Sequence, residues 1–134
     1  MVHELQDLTK WTKYIERVTK EFNDLPEVPP ILASIEPTVF QYSLNDHPEL
    51  NFWHAFDKNG IRGGIGENTE DKDFIKLIHK ADFEIVRKVF SGEQDPIKAT
   101  MERIYVVEGD MTKLMACAPL LPLQVVAHEK VIGK

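Results

Sequence analysis

Histidine and cysteine are the side chains that most often act as bases or nucleophiles near neutral pH, and here neither is arranged for catalysis. The five histidines are His3, His47, His54, His79 and His128. None stands four positions from another, as metal ligands on one helix do, and no His-Glu-x-x-His or Cys/His cluster occurs. His54 lies in an aromatic stretch, where a hydrogen-bonded wall residue is a more common role than a base.

Cys117 is the single cysteine, so the chain has no intramolecular disulfide and no thiolate metal site. It stands between Ala116 and Ala118 in an apolar stretch, and such surroundings raise a thiol pKa. We interpret Cys117 as a small apolar side chain. The sequence therefore predicts no metal, no cofactor and a reducing compartment.

A glycine-rich stretch resembles a phosphate-binding loop in composition and includes Gly60, Gly63, Gly64 and Gly66. A P-loop continues with Lys-Ser or Lys-Thr, whereas this stretch continues into the acidic residues Glu67, Glu70, Asp71 and Asp73. Their charge would repel a phosphate, so a hairpin strand is the better interpretation. These carboxylates, and the pair Glu93 and Asp95, fit solvated charge or helix capping. We therefore predict no catalytic residue.

Composition limits the classes of function. The chain has 134 residues, a net charge of -6, 43% hydrophobic residues and 28% charged residues, which predicts one globular domain over residues 1–134. An acidic chain without a basic cluster argues against nucleic acid as a partner and limits membrane binding to transient contact. The longest uncharged run, 114–127, is too short to span a bilayer and holds two prolines. The N-terminus has no targeting signal, so we predict a cytoplasmic protein.

An amphipathic helix is predicted near the N-terminus. Its apolar stripe alternates spacings of three and four: Leu5, Leu8, Trp11, Ile15, Val18, Phe22 and Leu25. The favoured interpretation is a surface helix packed on a sheet; the alternative is a dimerisation or lid helix. Prolines at 26–30 then form a stiff connector.

Strands are predicted in the first half of the chain. Residues 38–44 are rich in β-branched and aromatic side chains. Residues 50–56 alternate, with Phe52, His54 and Phe56 on one face. Asn59-Gly60 is a strong hairpin signal, so 61–66 returns as a strand. Residues 74–78 fit either a short strand or a helical turn.

The stretch 81–115 organises the rest of the chain. Asp82 is predicted to cap a helix with its carboxylate, and Gly92 to end that helix. Asp95-Pro96 starts a second helix with an apolar stripe at 97, 101 and 104, and 104–107 is predicted as a strand. After a turn, Asp110 caps a helix that is apolar on nearly every side, so that helix must be buried or line something apolar. Pro119 and Pro122 are expected to break it, leaving 123–131 as a further segment.

This order of signals resembles the sterol carrier protein-2 family of lipid-carrier domains. The matching residues are Phe83 to Gly92, Asp95-Pro96 with Ala99 and Met101, and Tyr105 to Leu114, which reads YVVEGDMTKL. The resemblance covers the last third of the chain, has fewer matches over 38–80 and leaves 1–30 outside. It implies an α/β (α+β) fold, in which a sheet of about five strands is covered by helices that enclose an apolar cavity.

The resemblance also implies lipid binding and transfer. The ligand would be a fatty acid, acyl-CoA, phospholipid, isoprenoid or sterol, whose burial is worth about 0.8 kcal/mol per methylene. We expect the helix after Asp110 to act as wall and gate. The expected lining residues of the tunnel are Phe40, Phe52, Phe56, Phe83, Val86, Phe90, Met101, Leu114, Met115 and Leu121.

Two other functions remain open from the sequence. One is a non-catalytic interaction module that forms a homodimer through residues 5–25. The other is an enzyme that acts on an acyl substrate with His54 or His79 as base. No residue pattern gives positive evidence for that chemistry.

Overall fold

A five-stranded mixed sheet is the scaffold of the protein in a computed structural model that describes residues 4–133. The strands are β1 (Thr38–Leu44), β2 (Phe52–Asp57), β3 (Gly60–Ile65), β4 (Ile75–Ala81) and β5 (Tyr105–Glu108). Their order is β3-β2-β1-β4-β5, and β1 pairs parallel with β4 while the other pairs are antiparallel. Predictions that fall on 1–3 and 134, including His3, lie outside the described residues.

Six helices accompany the sheet within residues 4–133. They are α1 (Leu8–Asn23), α2 (Val28–Ala33), α3 (Phe83–Ser91), α4 (Pro96–Met101), α5 (Met111–Ala116) and α6 (Leu120–Ile132), with 3₁₀ turns at Glu4–Gln6 and Pro48–Leu50. The predicted α+β class and five-stranded sheet are confirmed. The segment 74–78, which the sequence left as strand or helical turn, belongs to strand β4.

One face of the sheet carries most of the aromatic core. Tyr42 on β1 stands between Phe52 on β2 and His79 on β4 in the strand register. Alternate residues of a strand share a face, so His54 and Phe56 lie on this same side. All five side chains are buried, which confirms the predicted face of β2.

Helix α1 buries most of its apolar stripe inside the protein, whereas Leu8 of the stripe is 48% exposed. Asp7 caps the helix by accepting from the Lys10 backbone N–H at 3.0 Å. Trp11 has no exposed surface, and its Nε1 donates to the Leu50 carbonyl at 2.8 Å. The other buried residues of the helix are Tyr14, Ile15, Val18 and Phe22. The predicted amphipathic helix is confirmed, and its stripe is used in packing within the chain.

Helix α1 also packs along α6, at the other end of the sequence. The Tyr14 hydroxyl and His128 Nδ1 are hydrogen-bonded at 2.7 Å, and Arg17 donates to the Val131 carbonyl at 3.3 Å. Helix α6 is therefore held in place by a helix that lies outside the family resemblance.

The helix caps agree with the sequence in two of three cases. Asp95 accepts from the backbone N–H of Ile97, and Asp110 accepts from that of Thr112. Asp82 stands at the N-cap position of α3, but its carboxylate makes no capping bond, so that prediction is wrong. The Ile85 N–H donates to the backbone carbonyl of Asp82 at 3.1 Å, and the Phe83 N–H donates to Asp46 at 2.9 Å from the turn after β1.

The proline break was predicted in the wrong place. Pro119 is the N-cap of α6, and Pro122 lies inside the first turn of that helix. A proline is tolerated there because the first N–H groups of a helix have no intrahelical acceptor. The last helix therefore begins at Leu120 rather than at 123.

Helices α4 and α5 are more exposed than the apolar patterns suggest. Ala99 is the buried residue of α4, whereas Met101, in the predicted stripe, is 78% exposed. No residue of α5 is buried, and Met115 is 69% exposed. The sequence predicted that this apolar helix is either buried on every side or lines something apolar. The first of these two predictions, burial on every side, is wrong.

Replacing Gly109 by alanine should lower the free energy of unfolding by about 2 kcal/mol, because Gly109 has a φ of 136° that alanine adopts only with strain. A Cβ there would also lie 2.6 Å from Leu77 Cδ2 and 3.1 Å from the Lys76 carbonyl oxygen. Urea unfolding measures the loss. Gly66→Ala is the control, since Gly66 has a φ of 90° with no atom within 4 Å of the added Cβ. Equal losses in the two variants would show that the clash contributes nothing.

Candidate functional site

An apolar cavity of about 110 Å³ lies between the sheet and the last four helices; we call it the inner cavity. Its floor is formed by the sheet residues Tyr42, His79, Tyr105 and Val107. Its walls are formed by Val89 of α3, by Pro96, Ile97 and Thr100 of α4, by Leu114 and Met115 of α5, and by Ala118, Leu121 and Gln124 at α6. No charged side chain is among these lining residues.

A wider groove of about 360 Å³, the outer groove, adjoins the inner cavity between α3, α4 and α6. The two share the lining residues Val89, Pro96, Ile97, Ala118, Leu121 and Gln124. A chain-like ligand could therefore have one end in the inner cavity and extend along the outer groove.

The floor of the inner cavity carries an uncharged polar group of side chains. His79 Nδ1 and the Tyr105 hydroxyl are hydrogen-bonded at 2.7 Å, and Gln124 Nε2 donates to the Tyr42 hydroxyl at 3.2 Å. Burial lowers the pKa of His79 to about 3 and raises the pKa values of both tyrosines, so all four groups are neutral at pH 7. His79 Nε2 has no hydrogen-bond partner within the described part of the chain.

His54, one of the two candidate bases of the sequence, lies away from this cavity. Its Nε2 is hydrogen-bonded to the Thr19 hydroxyl at 2.9 Å, and its ring packs among Phe22, Phe56 and Phe90. Burial lowers the pKa of His54 to about 3. His54 is a hydrogen-bonded interior residue, as the sequence favoured, and lines neither the inner cavity nor the outer groove.

Three of the ten expected lining residues contribute to the inner cavity, namely Leu114, Met115 and Leu121. Six others lie in the closed core: Phe40, Phe52, Phe56, Phe83, Val86 and Phe90. Met101 lies on the surface. On α3, the face that carries Phe83 and Phe90 contacts Trp11 of α1 and the sheet, and Val89 is the residue that reaches the cavity.

Sequence reasoning missed the polar floor. Tyr42 lies on β1, and His79 is its neighbour on β4. Side chains along a strand alternate between the two faces of a sheet, and this alternation places both residues on the face that the helices cover. Gln124 is the one polar residue of the uncharged run 114–127 that is buried. A buried amide in an apolar helix needs a hydrogen-bond partner, so Gln124 was the available signal.

Several other groups that the sequence singled out have structural partners. Arg62 pairs with Glu70 at 2.9 Å and with Asp71 at 2.8 Å, and Glu93 accepts from the Ser91 hydroxyl at 2.7 Å. Cys117 is buried, and burial raises the pKa of its thiol. Within residues 4–133, no three His, Cys, Asp or Glu side chains are grouped to hold a metal ion. None of the helices in that range is both long and apolar enough to cross a membrane.

Comparison with solved structures identifies the fold. A conserved hypothetical protein of Thermus thermophilus aligns with a TM-score of 0.60 and 16% identity, covering 89% of this chain and 86% of its own. A structure of sterol carrier protein 2 aligns with a TM-score of 0.59 and 18% identity, covering 94% and 98%. The ubiquinone synthesis protein UbiJ-SCP2 aligns with a TM-score of 0.59 and 14% identity, covering 85% and 94%. No protein-family model matches the sequence, and no curated protein matches it at a significant level.

Proposed function

We propose that this chain, which has the fold of sterol carrier protein 2 domains, binds a long-chain apolar lipid and transfers it between membranes. The observation that carries the proposal is the inner cavity, which has apolar walls from four helices and adjoins a groove of about 360 Å³. Fatty acid, acyl-CoA, phospholipid, isoprenoid and sterol are the candidate ligands. The function requires transient membrane contact and no catalysis, and we propose that it takes place in the cytoplasm.

Transfer energetics support a carrier. Each methylene that leaves water gains about 0.8 kcal/mol, so an acyl or isoprenoid chain gains several kcal/mol in an apolar site. The same free energy opposes the passage of a free lipid through water. A protein that encloses the chain lowers this barrier.

The entrance that we propose lies between α4 and α5. Ile97 of α4 and Met115 of α5 line the inner cavity and are also 66% and 69% exposed, respectively. Methionine side chains adapt to apolar partners of varied shape. Helix α5 has no buried residue to hold it, whereas α6 is fixed against α1. Of the segment after Asp110, α5 is therefore the gate and α6 the wall.

Leu121→Glu should weaken lipid binding by about 100-fold or more, because a carboxylate would then face an apolar cavity without a cation to pair with. Native mass spectrometry of the purified protein, followed by organic extraction and re-addition of the lipid, measures binding. Val126→Glu is the matched control, since Val126 lies on the same helix and is exposed outside the cavity.

A wild-type protein that has a clean apo mass and takes up no fluorescent fatty acid would contradict the proposal. Equal lipid content in the two variants would place the ligand elsewhere.

The two other functions have less support in the structure. Dimerisation through residues 5–25 was argued from an apolar stripe that α1 buries within its own chain. An enzyme would need His79 as base, because His54 lies outside the cavity. A histidine with a pKa of about 3 is a weak base, and an effective one has a pKa near the working pH.

A further inference from the structure

We propose that the inner cavity selects lipid alcohols, whose hydroxyl group is bound at His79 Nε2 while the alkyl part extends toward the outer groove. This inference rests on the proposed function and narrows its ligand class. It assigns an orientation in which the polar end of the ligand enters first. The ligands of this class share one uncharged hydroxyl group on an otherwise apolar molecule.

The geometry that carries the inference is the incomplete hydrogen bonding of His79. The side chain is 3% exposed and lines the inner cavity. Nδ1 is bonded to the Tyr105 hydroxyl at 2.7 Å, and Nε2 has no partner among residues 4–133. Buried polar atoms nearly always have a partner, and leaving one unpaired is costly. Because His79 Nε2 is itself buried, a ligand hydroxyl in the cavity would supply the missing bond once a neighbouring side chain of the lining moves aside.

A hydroxyl fits His79 in either tautomer. If Nδ1 carries the hydrogen and donates to Tyr105, then Nε2 is an acceptor and needs a donor. If Tyr105 donates to Nδ1, then Nε2 carries the hydrogen and needs an acceptor. A hydroxyl group both donates and accepts, whereas a carboxylate only accepts. An alcohol therefore satisfies Nε2 without a change elsewhere in the hydrogen-bonded floor.

The charge of the cavity disfavours an ionised fatty acid. The polar residues of the floor are Tyr42, His79, Tyr105 and Gln124, all of which are neutral at pH 7. No Lys or Arg side chain lines the inner cavity to pair with a carboxylate. Burial of an unpaired charge is far more costly than burial of a hydrogen-bonded hydroxyl.

His54 provides an internal comparison. It too is fully buried, with one bonded ring nitrogen and one, Nδ1, that has no partner among the described residues. It lines neither the inner cavity nor the outer groove. Substitution of His54 therefore reproduces the loss of a buried imidazole without the loss of a residue that lines the cavity.

The test compares three ligands of similar length by displacement of the uncharged dye Nile red at pH 7.5. The ligands are 1-decanol, its methyl isostere undecane, and decanoate. The wild-type protein should bind decanol about tenfold more tightly than decanoate, since one hydrogen bond and one avoided charge separate them. His79→Asn keeps a nitrogen near the Nδ1 position and removes Nε2. It should weaken decanol binding about tenfold and leave undecane binding unchanged.

Two further variants separate recognition from folding. His79→Gln keeps a nitrogen near the Nε2 position and should retain most of the decanol affinity. His54→Asn should leave the ratio of decanol to undecane affinity as in the wild type. If His79→Asn does not fold, the ¹⁵N chemical shifts of the wild-type imidazoles provide the answer. Decanol should then shift His79 Nε2 and leave the His54 nitrogens unchanged.

Decanoate binding as tight as that of decanol would overturn the inference and leave the proposed function intact. An unchanged decanol-to-undecane ratio in His79→Asn, or an unmoved His79 Nε2 shift, would do the same. Failure of Nile red and of all three ligands to bind would overturn the inference and the proposed function together.

Discussion

Trp11→Ala should lower the free energy of unfolding by about 4 kcal/mol, within the range for removal of a fully buried large aromatic residue. The Trp11 ring lies 5.0 Å from Phe83, 5.2 Å from Tyr14 and 5.5 Å from Phe52, measured between centroids. Its loss also leaves the Leu50 carbonyl without its donor. Chemical denaturation at pH 7.5 measures the difference.

Glu16→Ala is the control on the exposed face of the same helix and should change stability by less than about 0.5 kcal/mol. Deletion of residues 1–25 should then unfold the protein rather than alter its assembly. A truncated protein that stays folded but changes its oligomeric state would revive the interaction-module hypothesis. A loss below about 1 kcal/mol in Trp11→Ala would show that α1 is dispensable to the core.

Acidification should destabilise the protein at mild pH. His54 and His79 have pKa values of about 3 in the folded state, against about 6.5 in an unfolded chain. Below pH 6.5 the unfolded state binds protons that the folded state does not. The free energy of unfolding therefore decreases as the pH is lowered, down to about pH 3. Each histidine lowers the free energy of unfolding by up to about 1.4 kcal/mol for every pH unit below 6.5. The two histidines together lower it by about 5 kcal/mol at pH 4.5.

Urea unfolding at pH 7.5, 6.5, 5.5 and 4.5 measures this dependence. His54→Leu should remove about half of the slope, because a leucine side chain does not titrate in either state. His128, whose pKa burial also lowers, contributes in the same direction. An equal slope in the wild type and in His54→Leu would contradict the assignment.

The parts of the fold that local chemistry determines were predictable. Asn59-Gly60 marks the β2–β3 hairpin, although Gly60 pairs with Asp57 as the first residue of β3. Asp95 and Asp110 cap the helices that follow them. At the start of α3, Asp46 accepts from the Phe83 N–H although it stands 37 positions earlier in the chain. Sequence spacing carries no information about such a contact.

The cavity was harder to predict, because its lining depends on which face of each helix meets the sheet. Phe83 and Phe90 had the correct helical spacing, but α1 fills the space beside them. The position of α1 could not be inferred from the family resemblance, because this helix lies outside it. The space that remains is walled by Val89 and by the residues of α4 to α6.

The packing of α1 against α6 has a consequence for synthesis on the ribosome. Tyr14 and His128, which join these helices, are separated by 114 positions. At about 5–20 residues per second, translation between them takes roughly 6 to 23 s. During this interval the side of α1 that carries Tyr14 and Arg17 lacks its partners on α6, although the helix itself forms within microseconds. The nascent chain therefore presents this side of α1 to solvent until the last turns of α6 emerge.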